Sequence, residues 1–105
     1  MGLNRSTHTP ERETMSQIEA KVRRLVEERP EYKEILRRAV EVEEHPPDDF
    51  VRDYGWEWYH VGAHPARLTK LVGEGIVKVT YKSRRYTHYK LVDRDAVKRA
   101  LGRSK

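Results

Sequence analysis

Residues 77–92, VKVTYKSRRYTHYKLV, alternate apolar and polar side chains, break at KSRR, and alternate again. A period of two on both sides of a short polar break specifies an antiparallel hairpin with one face turned inward, and that face needs other elements to cover it. The spacing predicts strands near residues 76–81 and 86–92. Val77, Val79 and Tyr81 on the first strand share the expected core face with Thr87, Tyr89 and Leu91 on the second. The opposite face collects Lys78, Thr80, Tyr86, His88 and Lys90, with Lys82, Ser83, Arg84 and Arg85 at or beside the turn.

The covering elements read as helices. Ile18, Val22, Leu25 and Val26 form one stripe of a helix running from Ser16 to near Glu28. Pro30 stops it and suits the first turn of a second helix, whose stripe is Tyr32, Ile35, Leu36, Ala39 and Val40. Glu31 and Glu34 sit near the positive end of that helix's dipole. HPPDD, residues 45–49, should end it in a hinge or turn. At the other end of the chain Asp93 suits a helix N-cap, with Ala96, Val97, Ala100 and Leu101 turned inward and Lys98 and Arg99 favourable near the C-terminus. Residues 1–12 hold a single Leu among Gly, Asn, Ser, Thr and Pro and read as a flexible arm. One domain is expected over residues 13–105, since a chain of 105 residues has room for one core. The N- and C-terminal helices are candidates for a two-fold dimer contact.

Composition narrows the function classes. With no cysteine, disulfides, cysteine zinc sites and thiol catalysis are excluded. The apolar runs are short and the N-terminal stretch MGLNRSTHTPERE has no hydrophobic region, so the chain reads as intracellular and soluble, without a membrane span. One Asn and one Gln among many Arg, Lys and Glu is a bias expected of proteins from hot environments. Charge divides the chain. Residues 1–50 hold nine Lys/Arg against twelve Asp/Glu, net −3, whereas residues 51–105 hold thirteen against five, net +8. A basic excess of that kind attracts polyanions such as nucleic acid. No acidic residue interrupts positions 75–92, and a face that only kept the protein soluble would more often mix signs.

The stretch YGWEWYHVGAHPARLTKLVGEGIV, residues 54–77, adds a short helix opened by His64 and Pro65, carried by Leu68, Leu71 and Val72, and stopped by GEG. With Gly62 at the ninth position, Val61, Ala63, Leu68 and Leu71 occupy positions that a helix-turn-helix fills with apolar side chains. In that frame residues 50–101 resemble the helix-turn-helix and wing of winged-helix DNA-binding domains. Gly75-Ile76-Val77 looks like the start of the first wing strand, and RRYTHYKL like the aromatic return strand. The sequence departs from the pattern at Trp58, where a small residue is usual. GWEWYHV fits a short strand with Trp56, Trp58 and His60 on one face as well as it fits a helix. As a strand it would join the hairpin in a three-stranded sheet.

The resemblance implies an α+β winged helix-turn-helix: a helical N-terminal half, a recognition helix, a basic wing of two or three strands and a C-terminal helix. It implies double-stranded DNA as partner, for a transcriptional or chromosome-associated factor of the cytoplasm or nucleoid. His64, Arg67, Thr69 and Lys70 would face the duplex from the recognition helix, along with Ala66. Arg67 could fork onto guanine and Lys70 onto phosphate. Lys78, Lys82, Ser83, Arg84, Arg85, Tyr86, His88 and Lys90 would contact it from the wing, where arginines suit phosphates or a narrow minor groove. Two other readings fit the same residues. One is a protein-interaction module using Trp56, Trp58 and Tyr59. The other is a binder of RNA or single strands, in which those rings stack on bases. Catalysis is not expected, because there is no phosphate-cradling glycine loop, no nucleophile elbow and no isolated carboxylate pair. No cofactor is expected either. His60 and His64 have metal-ligand spacing, but Gly62 and Pro65 disrupt a helix across them, so no metal is expected.

Overall fold

A computed structural model describes residues 10–102, with side chains from residue 17 onward. Six helices and one two-stranded antiparallel sheet follow in the order α1 (Pro10–Glu28), α2 (Glu31–Glu44), α3 (Asp49–Tyr54), α4 (Trp58–Val61), α5 (Pro65–Gly73), β1 (Val77–Lys82), β2 (Thr87–Leu91) and α6 (Arg94–Gly102). The class is therefore α+β. Of the expected arm, residues 1–9 lie outside the described residues, and residues 10–12 form the first turn of α1, so the helix starts earlier than Ser16.

The helical stripes do what their spacing requires. Ile18, Val22 and Leu25 of α1 are buried, and α1 lies along α6, which buries Ala96, Val97 and Ala100. The apolar stripes of the two terminal helices are thus largely consumed inside one chain. Tyr32, Ile35, Leu36 and Ala39 of α2 join the same cluster as Leu68 and Leu71 of α5, Ile76, Val77, Tyr89 and Leu91. Helix starts are fixed by local caps: Asp48 Oδ1 accepts from Val51 N at 2.8 Å, and Asp93 Oδ1 accepts from Ala96 N at 3.1 Å.

The stretch that reads as helix or strand is divided between the two. Trp56 N donates to Tyr89 O at 3.0 Å and Tyr89 N donates to Trp56 O at 2.8 Å, a single bridge on the outer side of β2. Immediately afterwards Glu57 N donates to His60 Nδ1 at 2.9 Å, and the chain turns into α4 at Trp58. Trp56 is fully buried and its ring stacks on Tyr89 at 5.5 Å. Glu43, from the last turn of α2, closes this edge. Its Oε2 accepts from Trp56 Nε1 at 2.8 Å and from Leu91 N at 2.6 Å. Gly55 permits the approach: at φ 116° a Cβ there would lie 2.5 Å from both Tyr89 O and Thr80 Oγ1.

The hairpin corrects two expectations about its faces. Val77 pairs with Leu91, Lys78 with Lys90 and Val79 with Tyr89, but beyond that point Tyr81 pairs with His88 and Lys82 with Thr87. Thr80 is an extra residue, a β-bulge, whose hydroxyl donates to Tyr54 O. The bulge moves Tyr81 off the face of Val77 and onto that of His88. Helix α3 then covers that face with Phe50 and Tyr54, so His88 is fully buried instead of exposed. Val79 and Tyr81, expected in the core, are 46% and 39% exposed, and Thr87 is half-buried. Among the described residues β1 pairs with β2 alone, and past Val77 its side chains reach beyond the rim of the core.

Candidate nucleic-acid interface

Helix α5 is held at both ends. His64 Nδ1 accepts from Ala66 N at 3.1 Å, Pro65 occupies the first helical position, and Ile76 N returns to Leu71 O at 3.1 Å on the way into β1. Leu68 and Leu71 face the core, which leaves His64, Ala66, Thr69 and Lys70 exposed and Arg67 half-buried. These side chains are not free. Arg67 Nη1 is 3.0 Å from Glu31 Oε2, and the guanidinium lies 5.8 Å from the centre of the Tyr32 ring. The Glu31 carboxyl is held below its ordinary range, first by its own backbone N–H and also by Arg67. Lys70 Nζ is 3.5 Å from Glu74, and the Thr69 hydroxyl donates to Pro65 O at 3.1 Å.

The hairpin differs. Ser83 N donates to Tyr86 O at 2.8 Å and Tyr86 N donates to Ser83 Oγ at 3.1 Å, so Ser83 closes the loop and aims Arg84 and Arg85 outward. Lys78, Lys82, Arg84, Arg85 and Tyr86 are exposed and Lys90 is half-buried. None of these five cations has a carboxylate within 4.0 Å among the described residues. Every other described Lys or Arg after residue 50 has one. Arg52 pairs with Asp49 and Asp53, Arg94 with Glu43, Lys98 with Glu44 and Arg99 with Glu19, besides Arg67 and Lys70. Lys78 and Lys90 face each other across the strands, a like-charge pair that a bound anion would relieve.

His88 drops out as a surface contact. Its Nδ1 is 2.9 Å from Gly55 O; a carbonyl only accepts, so Nδ1 carries the proton and donates. Nε2 has no hydrogen-bond partner among the described residues and stands 3.9 Å from Glu57 Oε2. That carboxylate also accepts from Tyr59 Oη at 2.9 Å, which pushes the Tyr59 phenol up; burial adds to the rise, and so do the nearby Glu57, Asp48 and Tyr86. Around His88 the rings of Phe50, Tyr54 and Tyr81 gather, with Phe50–Tyr54 at 4.8 Å and Tyr54–Tyr81 at 4.9 Å. Sequence reasoning missed this cluster. Its one legible signal was Asp48 as a cap, followed by Phe50 and Tyr54 four residues apart on one helical side. Trp56, whose sequence setting suits either core or a partner contact, is core.

Among the described residues no group of three or more His, Asp or Glu could hold a metal ion, and no helix is long and apolar enough to cross a membrane. No protein-family model, no curated protein and no solved structure matches this chain.

Proposed function

We propose that the chain is a winged-helix domain that binds double-stranded DNA, acting as a transcriptional or chromosome-associated factor and without catalysis. The order helix α2, bridge at Trp56, helices α4 and α5, then the β1–β2 hairpin supports the winged-helix reading. The observation that carries the function is the division of basic residues. Charges on α5 and α6 are neutralised by carboxylates, mostly from the acidic half of the chain, while Lys78, Lys82, Arg84, Arg85 and Lys90 stand together without a carboxylate partner among the described residues. Five cations on one hairpin match a row of phosphates better than they match a protein surface of mixed sign. In this reading the hairpin supplies the main grip, and Arg67 and Lys70 add contacts when they exchange Glu31 and Glu74 for the nucleic acid.

Fluorescence anisotropy with labelled duplex DNA, single-stranded DNA and RNA across a salt series tests the reading. Binding to duplex that weakens steeply with salt supports it. Duplex binding no tighter than that of a neutral protein, at any salt, refutes it and leaves the protein-interaction reading, for which half-exposed Trp58 and Tyr59 speak.

A further inference from the structure

Phe50, Tyr54 and Tyr81 are 49%, 41% and 39% exposed, yet they pack on one another and on buried His88 as one continuous group of rings. Tyr86 and Tyr59 are exposed as well, the first at the end of the hairpin loop and the second bonded to Glu57 beside His88. Rings left half in water on this scale are in excess of what covering one histidine requires. The bulge at Thr80 is what turns Tyr81 to this side, and Tyr81 is followed directly by Lys82 and the unpaired Arg84 and Arg85. The nearest acidic groups of α3 are already engaged: Asp49 and Asp53 pair with Arg52, and Asp48 caps the helix.

Half-exposed rings next to cations without a carboxylate partner among the described residues are complementary to a strand that offers both base faces and phosphates. In an intact duplex the base faces are stacked on one another and out of reach. We infer that Phe50, Tyr54 and Tyr81 stack unpaired bases of a DNA strand adjoining the duplex, while Lys82, Arg84 and Arg85 hold its phosphates. The preferred ligand is then a junction between duplex and single strand. The inference rests on the nucleic-acid reading above, and goes beyond it by naming the form of DNA and a second contact surface.

The full chain is titrated with three labelled probes: a blunt duplex, the same duplex carrying an overhang of about ten thymidines, and the same duplex carrying an abasic overhang of equal length. Stacking of one or two bases predicts about tenfold or tighter binding to the thymidine overhang than to the blunt duplex, with most of that gain lost on the abasic strand. Phe50→Leu combined with Tyr81→Leu keeps apolar bulk over His88 and should abolish the gain while leaving blunt-duplex affinity within about twofold, which also reports an intact fold. Should that variant fail to fold, the abasic comparison on the unaltered protein decides by itself. Equal binding to blunt and overhung duplexes overturns the inference and leaves duplex binding standing. Equal binding to thymidine and abasic overhangs also overturns it, since charge alone would then explain the gain. No binding to any probe removes both readings together.

Discussion

The sharpest consequence of the charge arrangement is that equal amounts of positive charge removed from two places should have unequal effects. If all five unpaired hairpin cations meet phosphates, the slope of log affinity against log salt should be about −4.5, at about 0.9 per contact. A rise in salt from about 50 to about 200 mM would then weaken binding about 500-fold. Changing Arg84 and Arg85 together to Ala leaves three contacts, a slope of about −2.7 and a weakening of about 40-fold over the same range. Changing Lys98 and Arg99 together to Ala removes the same formal charge, but those side chains already pair with Glu44 at 2.5 Å and Glu19 at 3.3 Å. The slope should stay within about 0.3 of the parent, because these groups displace few counterions from the DNA. Anisotropy titrations at four or five salt concentrations give the slopes, and thermal melts confirm that both variants fold. Exposed ion pairs contribute little to stability, so both variants should melt close to the parent. If the two double variants lose slope equally, DNA responds only to net charge and the hairpin is not its contact surface.

Four further outcomes follow from the geometry. Gly55→Ala forces a Cβ against Tyr89 O in a backbone region that favours glycine, and should lower unfolding free energy in urea by about 2–6 kcal/mol; a loss under about 1 kcal/mol would mean the Trp56 bridge is dispensable. Glu43→Ala leaves the donors Trp56 Nε1 and Leu91 N unpaired, so about 2–5 kcal/mol should be lost and Trp56 emission should shift red, whereas unchanged emission would argue that water replaces the carboxylate freely. Glu31→Gln should release Arg67 and steepen the duplex salt slope by up to about 0.9, and an unchanged slope would place Arg67 away from DNA. The carboxyl of Glu34 is pulled down to about 2 by hydrogen bonds from Arg37 and Arg38, and that of Glu44 is lowered first by Lys98. Because these folded-state values lie below the ordinary 4.5, their stabilisation is full above that pH and fades as pH falls toward about 2; urea midpoints should therefore drop in that window, less so in Glu34→Gln.

How far the sequence carried the structure depends on whether the signal was local. The start of α5 was legible because His64 and Pro65 cap it and Leu68 and Leu71 anchor it, and all of that lies within eight residues. The hairpin's ends were legible from alternation alone, with strands at Val77–Lys82 and Thr87–Leu91. Its faces were not, because one inserted residue reverses a period of two without changing the composition of either strand. Nothing in VKVTYK marks Thr80 as the extra residue. It is placed by Gly55 and Tyr54, more than twenty residues away, through the Thr80–Tyr54 bond and the close approach that only glycine tolerates. The same insertion hid the site's aromatic side, since it turns Tyr81 to the face of His88, which Phe50 and Tyr54 of α3 cover.

Charge was legible as a total and illegible as a distribution. The sequence places net +8 after residue 50 but does not mark which of those cations stand free. Folding brings Glu19 against Arg99, eighty residues away, and Glu44 against Lys98, fifty-four away, so both cations of the last turns of α6 are paired. Glu31 does the same to Arg67 from the start of α2. The acidic half is therefore more than a counterweight that keeps the chain soluble. It binds the cations of α6 and Arg67 of α5, Glu74 holds Lys70, and among the described residues after residue 50 the unpaired positive charge is left on the hairpin, where the strand register spaces it. The unpaired cations described after residue 50 thus lie on one projecting element, and the half-exposed rings of Phe50, Tyr54 and Tyr81 lie at its base.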